Sequence, residues 1–328
     1  MALDQCDVLV IGAGVSGLTT AVLLAEAGFR VQIRTGRPPP QSTSFAAGAI
    51  WGPYLVGHPH ASTWSDRTLA YLTELARHYE TGVRMVTGIE AARKEADPPQ
   101  WAIDIPGFQR CAAEWLPDGF VSGWRYTVPV VDMPKYLNYL VTRLTRAGVD
   151  ITTDPLSSLA DAVALASIVV NCAGVGAREL VPDVGVYPVR GQLVVVENPG
   201  IDYFFAEHTE DVSDLTYFLP QGDHVVLGGS ADADRLDPEP DLAMAEAIVR
   251  RCRAIEPMLD GVRVLQHRVG FRPGRARVRV ELELVAGRPV IHNYGHGGAG
   301  LTLSWGCASE VRDLIRGLAV IPLPNGRA

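Results

Sequence analysis

The chain has 328 residues, 47% of them hydrophobic and 20% charged, with a formal net charge of −8. That length predicts one large domain or about two, with enough apolar sequence to build a core unaided and to exclude disorder as the dominant state. The acidic balance excludes a basic nucleic-acid-binding face, and the 33 Gly and 23 Pro have no period, which excludes a collagen-like chain.

Residues 7–11 are a short, continuous, β-branched run and predict a buried strand. Gly12 to Gly17 predicts a turn, 18–27 a helix stopping at Gly28, and 29–34 a second strand. This β-α-β unit predicts the first half of a parallel sheet. The stretch 8–28 approaches membrane length. It holds four glycines and Glu26 and follows Asp4 and Asp7, so it reads as neither a signal peptide nor a membrane span. Residues 37–41, with three consecutive prolines, predict an extended loop. A helix is expected over 64–80, and strand-like pieces over 85–130. Further on, 134–147 predicts a helix ending at Gly148 and 166–171 a buried strand. Strands follow at 191–197, 216–219 and 224–227, the last two joined by a turn at Gln221-Gly222-Asp223. A helix over 240–255 has Asp241 as its cap and stops before Pro257. Residues 278–285 and 289–293 predict a strand pair, and 301–318 an amphipathic helix with a 3.6-residue period. The whole predicts a discontinuous α/β nucleotide-binding layer with an inserted strand-rich part.

Five cysteines, Cys6, Cys111, Cys172, Cys252 and Cys307, are widely spaced without a CxxC. No disulfide framework or metal site is expected, and a reducing cytoplasm is. His58-Pro59-His60 lacks a third metal ligand and reads as a loop.

Three motifs carry chemistry. The first is Gly12-Ala13-Gly14-Val15-Ser16-Gly17, between a strand and a helix, the context that makes GxGxxG a dinucleotide fingerprint. Gly12 permits the tight turn, Gly14 lets backbone approach a pyrophosphate, and Gly17 permits close helix–strand packing. The acidic residue usual about twenty positions on is missing. Arg34 and Arg37 would suit the 2′-phosphate of NADP, and the same stretch, Arg34, Thr35 and Arg37, can border a flavin nucleotide. This motif leaves both open. The second motif, Asn293 to Thr302, has four glycines within six residues and leads into the last helix. A helix N-terminus there stabilises negative charge on the N1–C2=O edge of a reduced isoalloxazine, a device nicotinamide does not need. The third is Val269-Gly270-Phe271-Arg272-Pro273, where Arg272 in a glycine- and proline-flanked turn can grip a carboxylate. Arg275, Arg277 and Arg279 alternate and read as a solvated face, and Cys307 reads as packing.

These motifs occur in order with Ala46-Ala47-Gly48, Trp51-Gly52-Pro53-Tyr54 and Asn171-Cys172-Ala173-Gly174. Together they resemble the D-amino acid oxidase family, which includes the D-aspartate oxidases. The resemblance implies an α/β fold: a discontinuous Rossmann-type FAD-binding domain (1–60, 130–185 and 265–328) with an inserted strand-rich α+β substrate-binding domain (61–129 and 186–264). It implies non-covalent FAD and oxidative deamination of D-amino acids by hydride transfer from Cα to flavin N5, yielding 2-oxo acid, ammonia and hydrogen peroxide. Its implied partners are a small D-amino acid and dioxygen, with neither nucleic acid nor membrane, and a homodimer is compatible with it.

Matched by position, the resemblance implies that Arg272 and Tyr217 hold the substrate carboxylate and that the Gly298 carbonyl receives the amine, with Tyr54 also against the substrate. It implies cofactor contacts at Gly12, Ala13, Gly14, Val15, Ser16 and Gly17, and at Arg34, Thr35 and Arg37. Further contacts are implied at Thr43, Ser44, Ala47 and Gly48, at Leu156, Cys172 and Gly174, at Arg272, and from Gly297, Gly298 and Ala299 to Gly300, Leu301 and Thr302. The chain departs from the family at Ser213, where a lid tyrosine is usual, at Gly36, in place of an acidic ribose partner, and at Ala299, often aromatic. The segment after Ala47 is one residue longer. Trp51-Gly52-Pro53-Tyr54 points to neutral, fairly apolar substrates. D-Aspartate or glycine oxidation is the alternative within the group, and an NADP-dependent oxidoreductase the alternative outside it.

Overall fold

The computed structural model describes residues 7–318 except 55–56, 210–213 and 234. The expectation about Ser213 and its lid, and Cys6, lie outside the described residues. In chain order the strands are β1 (Asp7–Ile11), β2 (Arg30–Thr35), β3 (Val83–Ala92), β4 (Gln109–Arg110), β5 (Ser122–Val131), β6 (Ile151–Thr153) and β7 (Ile168–Asn171). They continue as β8 (Tyr187–Glu197), β9 (Phe204–Glu207), β10 (Tyr217–Pro220), β11 (His224–Gly228), β12 (Val264–Gly274), β13 (Arg279–Val285) and β14 (Arg288–Tyr294). The helices are α1 (Val15–Glu26), α2 (Ala61–Leu75), α3 (Gln100–Ile103), α4 (Met133–Arg146), α5 (Leu159–Leu165), α6 (Ala177–Leu180), α7 (Leu242–Ile255) and α8 (Gly300–Leu318).

Two sheets result. The first has the order β13-β14-β7-β1-β2-β6, parallel except for β13. Its central strands are buried on both faces, as the unbroken apolar runs of β1 and β7 require. The order reverses beside β1, so a crevice opens at the carboxyl ends of β1 and β7. The second sheet has the order β12-β8-β11-β10-β9-β3-β5-β4 and is antiparallel except where β3 meets β9. One of its faces joins the core of the first layer through Tyr126, Phe204, Leu219 and Val226; the other packs Phe205, Phe218 and Leu227 under α7. No described helix is long and apolar enough to cross a membrane.

Several elements differ from their sequence expectations. Helix α1 begins at Val15 rather than Leu18, with Gly14 as its cap, so Gly17 lies inside the first turn. Residues 39–41 close into a 3₁₀ turn instead of staying extended. Helix α2 spans 61–75, not 64–80, because the Thr81 hydroxyl donates to the Leu75 carbonyl (2.9 Å) and turns the chain back. The expected turn around Arg272 is the interior of β12, paired with β8 from Val264 to Gly274. Pro273 is tolerated there because β12 is an edge strand. That pairing places 264–274 in the second sheet, whereas the sequence grouped residues from 265 with the nucleotide-binding part. The arginines after it are not a uniformly solvated face. Arg275 pairs with Asp183 (3.0 Å), and Arg279 donates to Tyr294 (2.7 Å) and pairs with Glu281 and Glu283. These contacts tie the β13 edge to the loop before β8.

Candidate active site

The segment 43–54 runs between the layers and stitches them together. Thr43 donates to the Phe271 carbonyl in β12 (3.0 Å), and Ser44 accepts from the Val15 N–H at the start of α1 (2.9 Å). The Gly48 carbonyl accepts from the Gln221 amide (2.6 Å). Gly52 is held twice by the Thr302 hydroxyl of α8, donating to it at 3.2 Å and accepting from it at 3.1 Å.

At one end lies the glycine fingerprint. Gly12 has φ +104°, and a Cβ there would overlap the Cys172 carbonyl. Gly17 lies so close to Gly12 that a Cβ would overlap its carbonyl oxygen. The first-turn N–H groups of α1 have no acceptors inside the helix. The N-terminus of α8 arrives beside them: a Cβ on Gly300 would stand 3.9 Å from the Val15 side chain. Two helix N-termini therefore share one crevice and favour anionic groups there. Gly174 and Gly297 border the same strand ends with nothing within 4 Å of their Cβ positions. Bare backbone beside paired helix N-termini fits a flat, anionic dinucleotide such as FAD. Cys172 lines this end as a buried thiol pushed up to about 12, so it stays protonated. Cys307 packs among Trp64, Val278 and Leu303.

Arg34 and Thr35 end β2, and Arg37 and Leu156 follow β2 and β6. Arg34 pairs with Asp154 (2.7 Å), the Thr35 hydroxyl donates to the Arg37 carbonyl (2.8 Å), and Leu156 packs on the cluster around Leu159. A carboxylate thus already faces the arginine that an NADP 2′-phosphate would need.

The glycine-rich loop before α8 is anchored by buried His296, whose Nε2–H donates to Asn293 Oδ1 (3.1 Å). The Asn293 amide in turn donates to Thr20 in α1 (3.1 Å). Burial pushes the His296 imidazole down to about 4. An unfolded-state histidine titrates near 6.5, so between those values the unfolded chain binds the extra proton. The native state should lose roughly 3 kcal/mol as pH falls from 7 to 4. Urea unfolding at both pH values checks this, and His296→Gln should flatten that part of the slope.

At the other end, Arg272, Tyr217, Gly298 and Gly48 converge. The Arg272 guanidinium lies against the bare Cα of Gly191, and its Nη1 donates to the Ser230 carbonyl (2.9 Å). Among the described residues it forms no ion pair. The Tyr217 ring lies on Gly228, where a Cβ would overlap it, and reaches within 3.3 Å of the Cβ position of Gly48. Burial raises the Tyr217 phenol, and the nearby Arg272 charge pulls the other way, so the two groups sense each other. A Cβ on Gly298 would lie 3.8 Å from Arg272 Cδ. Ala47 packs against the main core, and Ala299 packs with Trp64, Val278 and Leu303. Tyr54 is engaged sideways: its hydroxyl donates to Glu90 (2.6 Å), and its ring meets Trp101 edge-on. Gln221, Ser230 and Glu90 were missed in the sequence. Only Glu90 leaves a trace there, as a lone carboxylate in the run Gly88-Ile89-Glu90-Ala91-Ala92.

A family model described as FAD dependent oxidoreductase matches residues 7–314. A protein of Rubrobacter xylanophilus named D-amino-acid oxidase is 47% identical over 309 residues, covering 93% of this chain and 94% of its own length. A second so named, from Streptomyces coelicolor, is 47% identical over 315 residues, covering 94% and 96%. Among solved structures, glycine oxidase from Bacillus cereus superposes with a TM-score of 0.75 at 19% identity, over 98% of this chain and 99% of that one. That last likeness is one of fold.

Proposed function

The chain belongs to the FAD dependent oxidoreductase family, and we propose that it is a D-amino acid oxidase acting on neutral, fairly apolar D-amino acids. Its products are the 2-oxo acid, ammonia and hydrogen peroxide. The observation that carries this reading is Arg272, free of any ion pair among the described residues, beside Tyr217 and Gly298 at the end of a crevice headed by two helix N-termini. The two bacterial relatives named D-amino-acid oxidase support it. The family match to FAD removes the ground for an NADP-dependent reading.

FAD, held without a covalent link, would supply a two-electron acceptor that dioxygen can reoxidise. The residues that would hold it are the 12–17 turn, Thr43, Ser44, Ala47 and Gly48, Arg34, Thr35, Arg37 and Leu156 at its nucleotide end, Cys172, Gly174, and the stretch from Gly297 through Thr302. The burial of Cys307 in packing supports the absence of a covalent link. Arg272 and Tyr217 bind the substrate carboxylate, and the Gly298 carbonyl accepts from its amine. Three contacts fix two groups of the substrate, its carboxylate and its amine, so orientation rather than a proton-shuttling side chain does the work. The free thiols of Cys111, Cys172, Cys252 and Cys307 support a reducing, cytoplasmic setting.

Anaerobic visible spectra test the reading. The flavin bands should bleach on addition of D-alanine or D-methionine, resist the L-isomers, and return in air. Bleaching by D-aspartate or glycine alone would replace the neutral-substrate reading with one of those oxidases, and no bleaching by any amino acid would end it. Tyr217→Phe should weaken substrate binding by roughly 1–2 kcal/mol, near the lower end of what one hydrogen bond to a charged group contributes. Steady-state kinetics would read this as a KM increase of about 5- to 30-fold with kcat little changed.

A further inference from the structure

Glu90 is a carboxylate on the same sheet face as Tyr217, and only 1% exposed. Its oxygens gather four partners. Oε2 accepts from the Tyr54 hydroxyl (2.6 Å), the Tyr126 hydroxyl (2.7 Å) and the Trp124 indole N–H (3.1 Å). Oε1 lies 2.7 Å from His208 Nδ1. No arginine or lysine pairs with it among the described residues. Burial and the Glu90 charge both raise the Tyr54 and Tyr126 phenols, so both stay protonated and donate.

The register aligns this group with the substrate end. Tyr217 pairs with Ala206, Ala206 with Glu90, and Glu90 with Trp124. Residues paired directly across strands point to one face, and two strand spacings separate Tyr217 from Glu90 by about 10 Å between Cα atoms. The residue between them in that row is Ala206, half-buried and with only a methyl for a side chain. Tyr54 covers Glu90 from the other side and is itself 37% exposed. A hydroxyl whose proton is committed to a carboxylate can only accept from anything else that reaches it. Tyr54 therefore presents lone pairs backed by a buried negative charge.

We propose that Glu90, acting through Tyr54, is a specificity determinant at the side-chain end of the substrate cavity: it turns away D-amino acids with acidic side chains and admits neutral and hydrogen-bond-donating ones. The inference rests on reading Arg272 and Tyr217 as the carboxylate grip, which leaves the substrate side chain to extend along the row toward Glu90. An acidic side chain would bring a second carboxylate against that wall, and like charges in a desolvated pocket are strongly unfavourable.

The test compares isosteric pairs on the flavin-loaded enzyme: D-asparagine with D-aspartate and D-glutamine with D-glutamate. The wild type should favour each amide in kcat/KM by about 100-fold or more. Glu90→Gln should narrow both ratios at least about tenfold, through a lower KM for the acidic member rather than through the kcat ratio. Equal ratios in wild type and a folded, flavin-loaded Glu90→Gln would overturn the proposal. A second measurement needs neither the variant nor turnover: perturbation of the wild-type flavin spectrum by butyrate and by succinate. Butyrate should bind at least about tenfold tighter, and equal affinity would overturn the assignment. Failure of every D-amino acid to bleach the wild type would sink the oxidase reading alone, because the butyrate–succinate comparison still reads the wall.

Discussion

Arg272→Leu should reduce kcat/KM for a neutral D-amino acid by roughly two to four orders of magnitude while the purified protein keeps its FAD. The size follows from what is removed. A guanidinium grips a carboxylate through two charge-assisted hydrogen bonds, each worth about 1.5–3 kcal/mol, so about 3–6 kcal/mol of binding is lost. The partner left behind is the charged substrate itself, which then meets a pocket without a counter-ion. The loss should appear mainly in KM, because the contact exists before and during oxidation. Retention of FAD is expected because Arg272 is half-buried at the substrate end and its own bond is to the Ser230 carbonyl, away from the glycine fingerprint. Arg272→Lys is the informative companion. It keeps the charge but loses the fork, and should fall between the other two. Steady-state kinetics with the flavin spectrum as a loading control measure both. Unchanged affinity for simple carboxylates in Arg272→Leu would remove Arg272 from the grip.

In the proposed reading, the wall at Glu90 and the grip at Arg272 divide the work of recognition. Arg272 and Tyr217 see a group that every amino acid carries, so they set affinity for the class. Glu90 sees what differs between amino acids, so it sets the choice within the class. Both sit on one face of one sheet, positioned by register rather than by loops, and rigid placement of that kind sharpens discrimination.

What the sequence disclosed follows the physics of each element. The β1–α1–β2 unit was legible because its signals are local: a buried apolar run, three glycines at fixed offsets, a helix stop at Gly28. Helix α8 was legible from its period, and the β13–β14 pair from its turn. Arg272 stands out in the sequence as a residue but is misplaced there as an element, since the glycine and proline around it signal a turn locally. Pairing with β8 across about eighty residues of chain overrides that signal, and such pairing leaves no local mark. Glu90 leaves only a faint trace, a lone carboxylate in an otherwise apolar run, for the same reason. Its meaning comes from Tyr54, Trp124, Tyr126 and His208, which three separate segments deliver to it. The arginines at 275 and 279 were misjudged because alternation along a strand tells which side a residue faces, not whether a carboxylate waits there.

The glycine fingerprint gives the second large effect, and it separates two roles that the motif merges. Gly17→Ala should cost the apoprotein stability as well as FAD. A Cβ at Gly17 would overlap the Gly12 carbonyl, which is backbone fixed by the Gly12 N–H bond to the Arg34 carbonyl (2.7 Å), and nothing flexible can yield. Either α1 moves off β1 or the turn opens, and overpacking of that kind costs about 1–3 kcal/mol or more. The turn that opens is the one proposed to hold the pyrophosphate, so FAD affinity should fall at least about 100-fold. Gly14→Ala should behave differently. Its Cβ would stand 3.1 Å from the Ser44 hydroxyl, the tip of a side chain that can give slightly and keep its bond to the Val15 N–H. The apoprotein should then melt close to the wild type, while FAD binds more weakly because the added methyl stands where backbone must approach phosphate. Thermal melts of the two apoproteins, with FAD titrated by flavin fluorescence, separate the cases. Equal apoprotein stability in both variants would mean that close packing of α1 on the turn is not what Gly17 provides. Equal FAD affinity in Gly14→Ala and wild type would mean that the phosphates do not lie against this turn.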